Sequence, residues 1–191
     1  MSSDLDDSLP PEGFFDQLYA AHRQALHAYF FGRTGDGEVA LDLLQETFLR
    51  AWRNLNVLQT MPFSQHRYWL FTVARNLLTD YYRRQAVQTA AQAALSSQEM
   101  PVAVSQEDLA AQIATREQLQ QVDRAIQQLP ENLRTVLLMQ VLGAMNSTQI
   151  GDILEIPAGT VRYQLAMARK QLAEALQLKK TEQIVKRKVT I

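Results

Sequence analysis

No cysteine occurs in the 191 residues. Disulfides, thiolate nucleophiles and cysteine-type zinc sites are excluded together. Histidine is scarce: His22 and His27 lack a third ligand and His66 stands by itself, so no metal is expected. No segment approaches the run of about 18 apolar residues that a membrane span needs. The opening MSSDLDDSLPPEG is acidic and has no apolar core, so it does not read as a secretory signal. A cytoplasmic chain without membrane insertion is expected. No alternating strand pattern, internal repeat or nucleophile–base pair stands out. GRTGDG, residues 32–37, lacks the Lys-Ser/Thr ending of a phosphate loop and reads as a turn between helices. No cofactor and no catalysis by the chain itself are expected.

What is present is helix and patterned charge. The composition is globular, 47% hydrophobic and 20% charged, with a net charge of −1. That near-neutral total hides four blocks. Residues 1–48 carry two basic and nine acidic side chains, and 49–85 carry six basic and one acidic. Residues 86–159 carry three basic and eight acidic, and 160–191 carry eight basic and two acidic. Two basic blocks on an otherwise acidic chain fit two surfaces for a polyanion.

The apolar spacing predicts an all-α chain. Helices are expected over 14–31, 38–55, 64–85 with Ser64 as N-cap, 113–128, 130–142 with Pro130 as first residue, 147–154 and 158–178. Residues 56–62 are expected as a loop. The stretch 86–115 is rich in Ala, Gln and Ser and reads as a linker. The expected organisation is an acidic tail (1–11), a helical domain (12–86), a linker (87–114), a second helical domain (115–178) and a basic tail (179–191).

Three helices carry candidate chemistry. In the helix from Glu38, Leu41, Leu44, Phe48, Ala51 and Trp52 are expected in the core, with Leu49 exposed among Asp42, Glu46, Arg50 and Arg53. An exposed leucine ringed by charge hints at a protein contact, but single exposed leucines are common on ordinary surfaces, and by itself the pattern favours the ordinary surface. In the helix from Ser64, Leu70, Ala74, Leu77, Leu78 and Tyr81 form the inward side. Thr72, Arg75, Asn76, Thr79 and Arg83 form the outward one, bordered by Trp69 and Asp80 on one edge and Tyr82 on the other, with Arg67 and Arg84 near the ends. Arginines for phosphates beside aromatic rings for unpaired bases suit single-stranded nucleic acid, at roughly 1–3 kcal/mol per stacked base. The same pattern also describes a plain amphipathic helix. Finally, NSTQIGDILEIPAGTVRYQLAMARKQL, residues 146–172, has the shape of a helix-turn-helix. Gly151 permits close approach, and Val161, Leu165, Ala168 and Leu172 point inward. A helical hairpin without a DNA role shares that pattern.

Taken in order, DLLQETFLRAW (42–52), YWLFTVARNLLTDYYRR (68–84), LPENLRTVLLM (129–139) and the helix-turn-helix resemble the bacterial RNA polymerase sigma factors of the extracytoplasmic-function type. The resemblance covers most of the chain. It implies a transcription initiation factor with a region 2 helical bundle and a region 4 helix-turn-helix joined by a flexible linker. It implies binding to the clamp coiled coil and flap of core RNA polymerase, to promoter DNA, and to an anti-sigma factor as a possible further partner. It implies a polymerase-binding set of Asp42, Gln45, Glu46, Leu49 and Arg53. For the minus-ten element it implies Arg67, Trp69, Thr72, Arg75, Asn76, Thr79, Arg83 and Arg84, with loop 57–65 catching a flipped base. For the minus-thirty-five element it implies Thr160, Arg162, Tyr163, Gln164, Ala166, Met167, Arg169 and Lys170. Two positions that are usually basic in the family are Gln164 and Met167 here, so an altered upstream preference is expected. Glu155 stands at a turn position that is usually Gly. The competing reading is a helix-turn-helix regulator that never binds core polymerase.

Overall fold

The computed structural model describes residues 11–92 and 120–189, with side chains described for 11–88 and 120–176. The helices are α1 (Pro11–Thr34), α2 (Gly37–Arg53), α3 (Leu55–Thr60), α4 (Phe63–Gln92), α5 (120–127), α6 (Glu131–Val141), α7 (Ser147–Leu154) and α8 (Ala158–Val189). No strand occurs among the described residues.

Local chemistry explains most boundaries. Asp36 caps α2 by accepting from the amides of Glu38 (2.9 Å) and Val39 (3.2 Å), satisfying two donors that a helix start leaves unpaired. Asn146 and Gln149 close a reciprocal capping box on α7. Pro130 sits one residue outside α6 as its N-cap rather than as its first residue. Residues 56–62, expected as a loop, are mostly the short helix α3. Leu55 and Leu58 are buried there and hold the turn against the bundle. Helix α4 needs no Ser64 cap: it begins at Phe63 and continues to Gln92, into the stretch expected as linker. Residues 93–119, which hold the rest of that linker and the start of the helix expected over 113–128, lie outside the described residues, as do residues 1–10 of the acidic tail. Helix α8 likewise continues through most of the basic tail, to Val189.

Helices α1, α2 and α4 pack into a bundle around Leu26, Tyr29, Phe30, Phe71 and Leu78. Helices α6, α7 and α8 pack against one another, with a second small cluster of Leu129, Leu133, Leu137 and Ala168. The turn from α7 to α8 is tight. The Ile156 amide donates to the Gly151 carbonyl at 3.0 Å, and a Cβ on residue 151 would stand 2.6 Å from the Ile156 oxygen. Only glycine fits that position. Glu155 takes the left-handed conformation (φ 58°) as the C-cap of α7, the backbone state that favours glycine.

The two units are not held apart. Helix α1 packs on α6 and α4 on α7. One buried cluster runs from Leu18, Phe30 and Leu78 through to Val136, Leu138, Met139, Ile150 and Val161. Contacts between the two units are thus part of the described structure.

Candidate polymerase- and DNA-binding faces

Helix α2 lies between α1 and α4, and that position sets its inward side. Ala40, Leu43, Leu44, Thr47, Phe48 and Ala51 are buried. Thr47 is admitted because its hydroxyl donates to the Leu43 carbonyl at 2.8 Å. Leu41 and Trp52, expected in the core, are instead 43% and 46% exposed. Two neighbouring helices draw the buried arc toward the Ala40–Thr47–Ala51 side and leave a second apolar stripe outside. Leu49 is 50% exposed, as expected. Asp42, Gln45 and Arg53 are exposed around it, and Glu46 is half-buried, paired with Arg50 at 2.9 Å. Phe15 meets Trp52 edge-on at 5.0 Å, and the partly exposed Tyr19 meets Phe48 at 4.7 Å. The outer face of α2 therefore carries Leu41, Leu49 and Trp52 together, extended by Tyr19 from α1. Sequence reasoning found only Leu49. The spacing 41, 45, 49, 52 follows a single helical line and was the available signal.

Helix α4 shows Asn76, Thr79 and Arg83 to solvent, with Trp69, Thr72 and Arg75 half-buried beside them. Thr72 and Thr79 spend their hydroxyl protons on the carbonyls of Tyr68 and Arg75, both at 2.9 Å. Their oxygens stay available as acceptors. Arg75 leans on the Asn76 amide oxygen at 3.2 Å. This stripe is compact. Two predicted members are not in it. Arg67 lies on the inward side of the first turns and lines a crevice with His22, Phe63, Gly143, Met145 and Gln149. Arg84 lies on the opposite flank, in a groove with Asp42, Glu46 and Arg50 of α2. Both follow from helical phase, since neither position repeats with 72, 76, 79 and 83.

Within segment 57–65, Val57 and Phe63 are exposed. Phe63 stands 5.6 Å from the His66 ring and 6.0 Å from the His22 ring. Both histidines are buried. Nε2 of His66 lies 2.8 Å from the Leu58 carbonyl, so it carries the proton and donates. His22 is 2% exposed, and neither ring nitrogen finds a hydrogen-bond partner among the described residues. Burial, reinforced by the nearby Arg67 and by His66, pulls its imidazole from 6.5 down to about 4.

Helix α8 exposes Thr160, Arg162, Tyr163, Ala166, Arg169 and Lys170. Tyr163 is 67% exposed, and Arg169 donates to the Gln140 side chain at 2.6 Å. Gln164 and Met167 depart from the expected outward face. Met167 packs on the Leu133–Leu137 cluster, and Gln164 turns toward a crevice with Glu131, Thr135, Leu154 and Ile156. Helix α8 has both α6 and α7 as neighbours, so its buried arc is wider than that of a helix packed on one partner. The two positions that lack the family's usual basic residues are thus flanks of the packing face.

Two family models match the two helical units. Residues 18–87 match Sigma-70 region 2, and residues 119–172 match Sigma-70, region 4. The chain is 34% identical over 164 residues to the ECF RNA polymerase sigma factor SigL of Mycobacterium tuberculosis, covering 84% of this chain and 87% of that protein. It is 29% identical over 157 residues to ECF RNA polymerase sigma factor SigM of Bacillus subtilis, covering 82% and 91%. Its fold is similar to that of the sigma factor RpoE in complex with the anti-sigma factor NepR from Bartonella quintana. There the TM-score is 0.68 and the identity 21%, covering 86% of this chain and 97% of that one.

Proposed function

The chain belongs to the ECF family of RNA polymerase sigma factors, and from that premise we propose how its faces divide the work of initiation. It is a transcription initiation factor that binds core RNA polymerase, brings it to promoters and assists melting; the chemistry of RNA synthesis belongs to the polymerase. The competing reading, a helix-turn-helix regulator independent of core polymerase, leaves the region 2 match over residues 18–87 without a purpose. Work on promoter DNA beside polymerase supports a cytoplasmic location. An anti-sigma protein, the kind of partner bound in the Bartonella quintana complex, is its proposed regulator.

The observation that carries the division is the separation of surfaces. The outer face of α2 presents Leu49 among Asp42, Gln45, Glu46 and Arg53, an apolar centre with a charged rim. That is the anatomy of a protein interface, with the leucine desolvated on contact. The stripe on α4 presents Thr72, Arg75, Asn76, Thr79 and Arg83 next to Trp69. It has hydroxyl acceptors, amide and guanidinium donors and a ring edge, with the half-buried Asp80 as the one carboxylate on its border. That set holds a separated DNA strand by its phosphates and by stacking. A base drawn out of the duplex costs a few kcal/mol, which stacking against α4 and segment 57–65 offsets. On α8, Arg162, Arg169 and Lys170 neutralise phosphates, while Tyr163 and Ala166 meet base edges in the major groove.

The test separates the faces. Arg83→Ala should lower open-complex formation several-fold and leave the affinity for core polymerase unchanged. Leu49→Ala should weaken core binding by about fivefold, the effect of losing about 1 kcal/mol of half-exposed leucine burial. Equal loss of both activities in either variant would refute the division.

A further inference from the structure

We propose that the crevice between α1, the start of α4 and the turn joining α6 to α7 is a binding site for a small phosphate monoester, separate from the DNA faces. The crevice measures about 310 Å³. Its polar lining is His22, Ser64, Arg67 and Gln149, and no Asp or Glu side chain borders it among the described residues. Arg67 is the cation of the site. Its side chain forms no ion pair or hydrogen bond among the described residues, and its Nε is buried without a partner. A guanidinium has five N–H donors and no acceptor, and its fork matches a carboxylate or a phosphate. His22 is the second unspent group: it is 2% exposed, with both ring nitrogens unpartnered among the described residues. Buried polar groups are nearly always satisfied, so two such groups lining one crevice point to a partner from outside the chain.

The chemistry favours phosphate over other small anions. The first turn of α4 opens on the same space through Phe63 and Ser64, so the positive end of a long helix adds to the Arg67 charge. The neutral His22 ring supplies one N–H, and the Ser64 hydroxyl is another donor. Gln149 supplies its amide NH2 group, because its amide oxygen already accepts from the Asn146 backbone N–H at 3.1 Å. These donors come from α1, α4 and α7. A carboxylate offers two oxygens in one plane, whereas a phosphate monoester offers three that diverge and so meets all three helices. A phosphate group, no larger than a few waters at about 30 Å³ each, fills only part of the volume. The remainder is walled by the rings of Phe63 and Tyr68 and by Met145, which suits an apolar ester body. None of Thr72, Arg75, Asn76, Thr79 and Arg83 lines this crevice. Arg67, expected from sequence among the minus-ten contacts, thereby takes a different ligand.

The test uses the full chain, with inorganic phosphate and phenyl phosphate as probes. Each is titrated calorimetrically at constant ionic strength against a chloride-only reference. Both should bind at one site per chain, phenyl phosphate about tenfold more tightly because its ring is buried against Phe63 and Tyr68. Arg67→Gln should weaken both by about tenfold, and His22→Leu by several-fold. Arg23→Gln is the charge control. Arg23 follows His22 in sequence, but it is exposed, lies over the Tyr19 ring at 5.9 Å and does not line the crevice. Its replacement should leave both affinities unchanged. Circular dichroism verifies that helix content is retained, and Arg67→Gln, at a half-buried position, carries the test if His22→Leu fails to fold. Absence of saturable binding, or an Arg67→Gln effect no larger than that of Arg23→Gln, would overturn the proposal. So would displacement of phenyl phosphate from the wild-type chain by a single-stranded minus-ten oligonucleotide, which would make the crevice part of the DNA path.

Discussion

Lowering the pH should destabilise this protein through His22 in particular. The imidazole is buried, unpaired among the described residues and close to Arg67 and His66, and its pKa falls from 6.5 to about 4. The folded state therefore holds the neutral ring, while the unfolded chain takes up a proton first as pH drops. The contribution of the neutral ring is fully present above pH 6.5, declines as pH falls toward 4, and levels off below that. Each tenfold weakening of proton affinity is worth about 1.4 kcal/mol, so the loss reaches about 2 kcal/mol at pH 5 and about 3 kcal/mol at pH 4. With a urea dependence of about 2 kcal/mol per molar, the midpoint should fall by about 1 M between pH 7.5 and pH 5 from this residue alone. The assay is urea unfolding followed by helical circular dichroism across that range, for wild type and His22→Leu. Leucine fills most of the same volume and cannot titrate, and His66 is present in both proteins, so the difference isolates His22. The reasoning fails if His22→Leu loses as much stability on acidification as wild type does.

Other outcomes follow from single features. Glu155→Gly relieves a left-handed backbone held by a side-chain-bearing residue; it should add about 1 kcal/mol in thermal or urea unfolding, and a loss of stability would contradict the turn geometry. Arg162→Ala removes one exposed guanidinium from α8 and should reduce the slope of log K against log salt for duplex binding by about 1, whatever the sequence of the duplex. Tyr163→Ala should instead relax preference among upstream sequences with the salt slope unchanged, because under the proposed reading its exposed, uncharged ring meets bases rather than phosphates. Gln164→Arg and Met167→Arg, which would restore the usual basic pattern, should cost stability by about 1–3 kcal/mol in urea unfolding, since both positions are half-buried against α6.

The helices and their order were legible in the sequence because long, strongly periodic segments declare themselves. Leu70, Ala74, Leu77 and Leu78 on α4 and Val161, Leu165 and Ala168 on α8 are buried as their spacing predicts. Phase was harder where two neighbours share one helix. The buried Thr47 looked polar, and the exposed Leu41 and Trp52 looked like core, so the inward side of α2 was placed too far round. Met167 was misplaced for the same reason. Helix α3 was hidden by its length of 6 residues, too few for a periodic signal. The closure of the two units was not legible at all. It depends on Arg33 meeting Glu131 and Thr135 across about a hundred residues of sequence, and no local pattern records such a meeting.

The central claim is that this chain converts core polymerase into a promoter-selective enzyme. Its direct test adds the purified protein to purified core RNA polymerase and a pool of promoter-bearing linear templates, and measures co-elution and run-off transcripts. The account predicts a stable complex and transcripts that start at discrete sites only when the protein is present, with both lost in a chain whose α2 face is reversed by Leu49→Asp. Failure to co-elute with core polymerase, together with transcription no different from core alone, would contradict it.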